Sequence, residues 1–289
     1  MDVPSDVGVY KADFETRLQT RLDKPATWKE VADVRYTDAY SINLPYMATE
    51  FVAQTGTRGT AYGFSDFTLT NEQLSISTKK IVPVFADEAD IAQCSYIDFM
   101  DIADRQGKLL SDQVETTMLA DHAAWTNVGD TNGVITSGVT TAITVSATNV
   151  DDVVRGIRRI VAVANGSSLM DQYGLFFVWR PQDFEALEAF AQANGFNLAD
   201  AALKNGIDRG YYLMGAYHYV SNSHATGGHV FAGVRKQYKI GILNKTWGKL
   251  KVTEDPALQS GKGLITRADF GVKTPTGLAT VLFDVNVTE

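Results

Sequence analysis

The stretch "DIAQCSYIDFMDIADRQGKLLSDQVETTMLAD", residues 90–121, decides the fold of this chain because it carries a long helical pattern. Its apolar residues recur at steps of three, four and seven, which places them on one face of a helix, and charged residues occupy the remaining face. The turn-rich segment "NVGDTNG", residues 127–133, follows. The sequence therefore predicts one long amphipathic helix, whose apolar face is formed by Ile97, Met100, Ala103, Leu110, Val114 and Met118.

The N-terminal region has a single apolar stripe. Tyr10, Phe14, Leu18 and Leu22 recur at every fourth residue, as on one face of a short helix. One stripe cannot form a core by itself and needs another surface to bury it. Residues 1–45 are therefore predicted to form an N-terminal arm rather than a domain.

Residues 46–86 have the alternating pattern of β-strands, with the strand-like segments "ATEFVAQ", "FTLT", "LSIS" and "IVPVF". After the first of these comes "QTGTRGTAYGFSDF", residues 54–67, which holds glycines and aromatic residues but has no helical or strand-like periodicity at its centre. Such a segment between strands predicts a long β-hairpin that projects from the compact part of the molecule.

The remaining chain combines helices and strands. Asn149 can cap a helix with a strongly apolar face, "GLFFVW" has the composition of a buried strand, and Pro181 suits the first turn of a third helix. After Asn194 and Gly195 the pattern is rich in strands to the end of the chain. These elements predict an α+β fold.

The histidine cluster is the strongest enzyme-like feature of the sequence. His218, His224 and His229 lie within "HYVSNSHATGGH", but they fall on a strand, a loop and the next strand, whereas a catalytic zinc site usually draws a close pair from one rigid element. A solvated loop is the preferred interpretation, and a metal-dependent enzyme is kept as the less favoured alternative. The glycines near residue 56 and "SGKG" do not have the spacing of nucleotide-binding loops, and the single cysteine, Cys94, has apolar neighbours. The sequence therefore predicts no enzyme, catalytic residue, cofactor or metal.

Composition narrows the choice of partners. The 45% hydrophobic and 21% charged content is that of a folded protein, and a net charge of −8 argues against a general nucleic-acid binder. The N-terminus lacks the zones of a signal peptide, and no run approaches the ~20 apolar residues of a membrane span. We therefore expect synthesis in a cytosol and no membrane partner.

The order of these elements resembles the major capsid protein of tailed bacteriophages, which has the Hong Kong 97-type fold. The segments that carry the resemblance are residues 85–125 leading into "NVGDTNG", then "LFFVWRPQDFEALEAF" and "YLMGAYHYVSNSHATGGHVFAGVRKQYKIGI". The resemblance covers nearly the whole chain. It implies an N-terminal arm at 1–45, an extended loop at 46–86, a peripheral domain with a spine helix at 87–194, a β-rich axial domain at 195–265 and a return to the peripheral domain at 266–289.

The resemblance further implies a structural protein that self-assembles into the hexamers and pentamers of an icosahedral shell around double-stranded DNA. Its partners would be copies of itself, a separate scaffolding protein, a portal and, as an option, a decoration protein, with DNA bound weakly and without specificity. The protein would be assembled in the host cytoplasm and found in the virion. An encapsulin-type nanocompartment, whose shell encloses a cargo enzyme, is the alternative with the same fold.

Three groups of residues follow as candidate sites. Arg155, Arg158 and Arg159 could face the genome, although a solvated helix face or an ion-pair network between subunits is the preferred interpretation. Lys79 and Lys80 have no identified partner for a covalent cross-link, so none is predicted. The expected inter-subunit contacts are Gly56, Arg58, Gly59, Tyr62, Gly63, Phe64 and Phe67 in the extended loop, and Tyr10, Phe14, Leu18 and Leu22 in the arm.

Overall fold

The computed structural model describes residues 7–47, 58, 69–87, 96–164, 166–194, 211–223, 228–253 and 261–288. None of the described helices is both long enough and apolar enough to cross a membrane. The helices are α1 (Val7–Leu22), α2 (Thr27–Val31), α3 (Tyr96–Ala120), α4 (Val150–Val163), α5 (Ser167–Tyr173) and α6 (Pro181–Ala193), with 3₁₀ helices at Asp121–Ala124 and Thr276–Val281. The strands are β1 (Asp33–Thr37), β2 (Ser41–Met47), β3 (Leu69–Ser75), β4 (Thr78–Asp87), β5 (Thr126–Thr131), β6 (Val134–Ser137), β7 (Leu175–Trp179), β8 (Tyr211–Leu213), β9 (Ala216–Val220), β10 (His229–Val234), β11 (Lys239–Leu243), β12 (Lys249–Thr253), β13 (Gly261–Lys273) and β14 (Leu282–Asn286).

The first sheet is organised around the long strand β13. Five strands take part, in the order β1-β11-β13-β12, and β4 pairs with the other edge of β13. β1 runs parallel to β11, whereas the remaining pairings are antiparallel. This sheet provides the surface on which the long helix lies.

Helix α3 confirms the long amphipathic helix expected from the sequence. The side-chain amide of Gln106 donates hydrogen bonds to the carbonyl oxygens of Val82 (3.1 Å) and Leu264 (3.3 Å), which ties the helix to β4 and β13. Burial of its apolar face supplies the main driving force for this packing. The residues of the predicted face that are fully buried are Ala103, Leu110, Val114 and Met118.

Helix α1 packs along α3 and joins the same core. Phe14, Leu18 and Leu22 are at most 1% exposed there, and Arg17 pairs with Asp104 at 2.6 Å. The prediction that these three apolar residues contact a neighbouring subunit is therefore wrong, because the long helix of the same chain already buries them. The side chain of Tyr10 lies outside the described residues.

The second sheet has seven strands in the order β6-β5-β14-β10-β7-β9-β8. Its interior strand β7, which lies between β10 and β9, is buried on both faces, as "GLFFVW" predicts. Phe176 and Val178 belong to the core beneath α3, whereas Phe177 and Trp179 belong to a second core that includes residues of α4 and α6. The seven-stranded sheet is thus covered on both sides, and one of its faces packs toward the first sheet.

The two sheets divide the chain differently from the predicted domain boundaries. Within residues 195–265, β9 and β10 lie in the seven-stranded sheet, whereas β11 and β12 lie in the five-stranded sheet. The closing strand β14 pairs with β10 and β5, and α4 packs in the core of the same sheet. Strand pairings between distant parts of the chain determine this division, and the periodicity of the sequence does not predict such pairings.

Strands β2 and β3 form an antiparallel hairpin from the pair Ser41–Ser75 to the pair Met47–Leu69. A hairpin is therefore confirmed in this region, but it begins earlier than residue 46. Strand β4, which the sequence assigns to the same hairpin, pairs with β13 instead. The residues between β2 and β3 lie outside the described part of the chain except for Arg58, which is an exposed turn residue. The predicted contact residues Gly56, Gly59, Tyr62, Gly63, Phe64 and Phe67 are among those outside it.

Candidate functional site

The hairpin formed by β2 and β3 is anchored to the compact part of the molecule at its base. The carboxylate of Glu72 accepts hydrogen bonds from the backbone N–H of Thr276, with distances of 3.1 and 3.2 Å to its two oxygens. Tyr40 and Leu69 remain exposed at opposite ends of the hairpin. A small apolar cluster joins the hairpin and the short link between β3 and β4 to β11, and its buried members are Leu44, Leu74, Ile76 and Leu243.

Strand β4 presents apolar side chains at an edge of the five-stranded sheet. Among the described strands it pairs only with β13, so its second edge has no strand partner there. Ile81 and Phe85 are 44% and 49% exposed, whereas the alternating residues Val82 and Val84 pack against the core beneath α3. An open strand edge with exposed apolar side chains is a surface suited to association with another protein chain.

The three arginines singled out from the sequence are engaged within the chain. Arg155 pairs with two aspartates of its own helix at 2.6 and 2.7 Å. Arg158 donates a hydrogen bond to the carbonyl oxygen of Met214, just after β8, and Arg159 donates to that of Ile135 in β6 at 2.6 Å. Since β6 and β8 are the two outer strands of the seven-stranded sheet, Arg158 and Arg159 connect α4 to both ends of that sheet.

His218 is a core residue rather than part of a solvated loop. The indole Nε1–H of Trp179 donates to His218 Nδ1 at 2.9 Å, and His218 Nε2 lies 3.1 Å from the carbonyl oxygen of Leu213. Burial lowers the pKa of His218 to about 4 because the charged imidazolium loses its hydration. The predicted histidine cluster is therefore not one site: His229 pairs with Asp284 elsewhere on the sheet, and His224 lies outside the described residues.

The motif "RPQD" joins α6 to the C-terminal end of the chain. Arg180 and Asp183 form a two-pronged ion pair, with N–O distances of 2.6 and 3.0 Å, and Arg180 also donates to the carbonyl oxygen of Thr288 at 2.8 Å. Both charged side chains are nearly buried. The motif by which the sequence resembles a known family thus has a structural role, because its charges hold the start of α6 against the last strand.

A polar cavity of about 710 Å³ lies beside α1, α3 and β9. Glu115 lines it and accepts a hydrogen bond from the hydroxyl of Ser221, and burial raises the pKa of the Glu115 carboxyl. Tyr217, also in the wall, lies under the guanidinium of Arg235 at 4.3 Å, and Arg235 pairs with Glu30 at 2.7 Å. The charges named here therefore have partners within the chain, which is typical of a structural surface.

Solved structures of phage and virus-like particles share this architecture. The chain aligns with a chain from Mycobacterium phage Che8 at 16% sequence identity and a TM-score of 0.60, covering 86% of this chain and 85% of that one. With the mature capsid of bacteriophage PhiM1 the identity is 14%, the TM-score 0.55 and the coverage 89% and 86%. With a virus-like particle from Pyrococcus furiosus the identity is 10%, the TM-score 0.57 and the coverage 96% and 99%. No protein-family profile and no curated protein sequence matches the chain.

These alignments cover most of the chain at low identity, and they therefore establish its fold. The resemblance indicated by the order of sequence elements is confirmed at that level. Sequence reasoning did not single out the open edge of β4. The alternation of Ile81 and Phe85 with Val82 and Val84 was visible, but the partner that leaves one edge open, β13, lies far along the chain.

Proposed function

We propose that this chain, which has the fold of bacteriophage capsid proteins, is the major shell-forming subunit of a tailed phage. The observation that carries the proposal is the alignment of most of the chain with several phage capsid structures at TM-scores above 0.5. The role is structural rather than catalytic. Copies of the subunit would form hexamers and pentamers that close an icosahedral shell around double-stranded DNA.

The open edge of β4 supports association between copies of this chain. Ile81 and Phe85 expose apolar surface on a strand whose other face is already packed against α3. Removing such surface from water on assembly is favourable by roughly 25 cal/mol per Å² of apolar area. Many modest contacts of this kind, repeated around a closed shell, add to a stable assembly.

The anchored hairpin supports an arm that crosses a neighbouring subunit. The apolar cluster at β11 and the hydrogen bonds of Glu72 hold its base, so a contact made by the arm would connect the neighbouring subunit to the folded part of this one. We assign the residues between β2 and β3 to the arm, with Tyr62, Phe64 and Phe67 as apolar anchors and Arg58 as a polar contact. Gly56, Gly59 and Gly63 would let it follow a curved neighbour.

The two sheets suggest how the subunit sits in a capsomer. We assign the unit formed by the five-stranded sheet, α1 and α3 to the periphery, and the unit formed by the seven-stranded sheet, α4 and α6 to the region around the capsomer axis. This keeps the domains that the resemblance implies but replaces their boundaries with those of the sheets. Arg155 remains the candidate of its group for contact with the genome or a neighbour, because its side chain is 66% exposed.

The charge of the subunit fits a container that does not bind its contents tightly. A net charge of −8 would limit adhesion to packaged DNA, whose affinity for proteins depends on clustered lysine and arginine. We further propose a separate scaffolding protein and a portal as partners, with a decoration protein as an option. Assembly would take place in the host cytoplasm, and the finished protein would reside in the virion.

Electron microscopy and sedimentation of the expressed chain test this proposal. We expect closed particles of uniform size that contain many copies, formed by the chain alone or on addition of a scaffolding protein. A discrete oligomer of a few chains under all such conditions would contradict the proposal. The folded subunit, checked by circular dichroism, is the starting material in every case.

An encapsulin-type nanocompartment is the second candidate, and the alignment with the virus-like particle from Pyrococcus furiosus favours keeping it. The contents of native particles separate the two functions. Packaged double-stranded DNA supports the phage shell, whereas a bound enzyme without a genome supports the nanocompartment.

A further inference from the structure

Two imidazoles and one carboxylate meet where the end of α3 touches the seven-stranded sheet. Asp284 on β14 lies 2.8 Å from Nδ1 of His122 through one carboxylate oxygen, and 2.8 Å from Nδ1 of His229 through the other. The two imidazole centroids are 4.6 Å apart. One ligand atom from each of the three residues lies within 4.8 Å of those from the other two. We call these three residues the His–Asp–His cluster.

We propose that the His–Asp–His cluster binds one divalent transition-metal ion, of which Zn²⁺ is the expected species. Two imidazole nitrogens and one carboxylate oxygen form a ligand set that suits zinc and its neighbours in the first transition row. Magnesium and calcium are disfavoured, because both prefer sets made entirely of oxygen ligands. Water would complete the coordination, since both histidine side chains are about one fifth exposed.

The distances require only a small rearrangement. Zinc ligands at about 2.0–2.2 Å in a tetrahedron lie roughly 3.4 Å from one another. The present N–O distances of 2.8 Å must therefore lengthen by about 0.6 Å. Asp284, which is almost completely buried in the sheet, fixes one ligand, and small rotations of the two partly exposed rings can supply the difference.

The backbone holds the cluster in place before any ion binds. β10 and β14 are adjacent antiparallel strands in which Phe231 is the register partner of Asp284, so His229 is a diagonal neighbour of Asp284 on the same face. On the 3₁₀ helix, the residue before His122 is Asp121, whose carboxylate accepts hydrogen bonds from the hydroxyls of Tyr238 (2.9 Å) and Thr274 (3.1 Å). All three ligands are thus carried by elements that are held in place: β10 and β14 lie inside the sheet, and the hydrogen bonds of Asp121 hold the 3₁₀ helix.

The position of the cluster predicts what the ion would do. His122 follows the long helix of the first unit, whereas His229 and Asp284 belong to the second sheet. An ion would therefore link the two units of one subunit and stabilise their relative orientation. The site has no need of a neighbouring copy, so its test is independent of the proposed shell function.

Metal binding to the folded, unassembled subunit provides the test. We expect about one Zn²⁺ per chain by elemental analysis after dialysis, and Co²⁺ should give the visible absorption of a tetrahedral site. Zinc at about 100 times its dissociation constant should raise the midpoint of thermal unfolding by roughly 5–10 °C, and a chelator should reverse the rise.

Substitutions then identify the ligands. His122→Gln and His229→Gln keep a side chain that can donate a hydrogen bond to Asp284 but lose the imidazole, so each should remain folded and lose the zinc-dependent shift. His224→Gln, which removes a histidine from outside the cluster, is the matched control and should bind as the wild type does. No stoichiometric Zn²⁺ or Co²⁺ on the folded wild type, or equal loss in the control, would overturn the proposal and leave a hydrogen-bonded cluster only.

Discussion

Gly241 on β11 and Gly271 on β13 are direct register partners, and the hairpin segment lies close over both of them. A Cβ atom at Gly241 would lie 2.6 Å from Leu74 Cδ2, and one at Gly271 would lie 2.1 Å from the backbone oxygen of Ser75. Neither distance is compatible with an ordinary contact. The paired absence of side chains therefore allows the end of β3 to approach the five-stranded sheet.

Gly271→Ala should displace the hairpin without unfolding the two cores. The new methyl group meets backbone rather than a flexible side chain, so the end of β3 must move, at a cost of about 1–3 kcal/mol in the free energy of unfolding. Hydrogen exchange should show faster exchange of the β3 amides, and shell assembly should decrease. Gly277→Ala is the matched control, because its Cβ would meet Tyr46 only at 3.6 Å. Equal protection of β3 in both variants would contradict this account.

The double substitution of Ile81→Lys with Phe85→Lys should block assembly and leave the subunit folded. Both side chains are exposed in the isolated chain, so the free energy of unfolding should change by no more than about 0.5 kcal/mol for each. In a shell the two charges would have to leave water at the contact, which opposes association. Particle yield by sedimentation measures the effect. Val163→Lys changes an exposed apolar residue on α4 and is the control, which should assemble normally. A wild-type particle yield from the double variant would show that the β4 edge is not part of the interface.

Tyr62→Ala combined with Phe64→Ala tests the arm itself. Aromatic anchors contribute much of the binding energy at protein interfaces, and these two residues lie in the segment between β2 and β3. We expect a soluble, folded subunit with impaired shell formation, measured by electron microscopy of assembly mixtures. Tyr173→Ala removes an exposed aromatic residue from α5 and should assemble as the wild type does. Normal, stable particles from the double variant would exclude an essential role for these aromatics.

Local patterns predicted the helices well, because each depends on residues close together in the chain. The stripe of α3, the apolar stripe of α1 and the buried strand β7 all follow from periodicity or composition. The same patterns did not say which surface would bury each stripe. The spacing of Phe14, Leu18 and Leu22 is the same whether the stripe packs against a neighbouring subunit or inside its own chain. Only the position of α3 shows that the packing is internal.

Pairing between strands that are distant in the chain could not be predicted from local sequence patterns. The assignment of β4 to the hairpin failed because its partner β13 lies far along the chain. Periodicity also does not indicate which sheet a strand joins, and β7 lies between β9 and β10 although it precedes both in the chain. The His–Asp–His cluster was missed for the same reason. His122 and Asp284 stand in unremarkable sequence contexts, and only the contact between the end of α3 and β14 brings them together.

His218 gives the subunit a pH-dependent stability that the sequence did not indicate. It is fully buried, stacks on Phe177 and accepts a hydrogen bond from Trp179. Burial lowers its pKa from 6.5 to about 4. The unfolded chain therefore takes up a proton at this residue below about pH 6.5, whereas the folded chain resists protonation until about pH 4.

Because the unfolded state binds more protons in this interval, the free energy of unfolding should decrease as the pH falls from about 6.5 to about 4, by about 3 kcal/mol at most from this residue. Above pH 6.5 the contribution of the neutral, buried His218 to the free energy of unfolding is fully present. His218→Gln keeps an acceptor for Trp179 and a donor for the carbonyl oxygen of Leu213, but it cannot titrate. Urea unfolding of the unassembled subunit at a series of pH values should show a shallower dependence in the variant. The other titrating groups act equally in both proteins, so parallel curves would show that His218 does not supply the pH dependence.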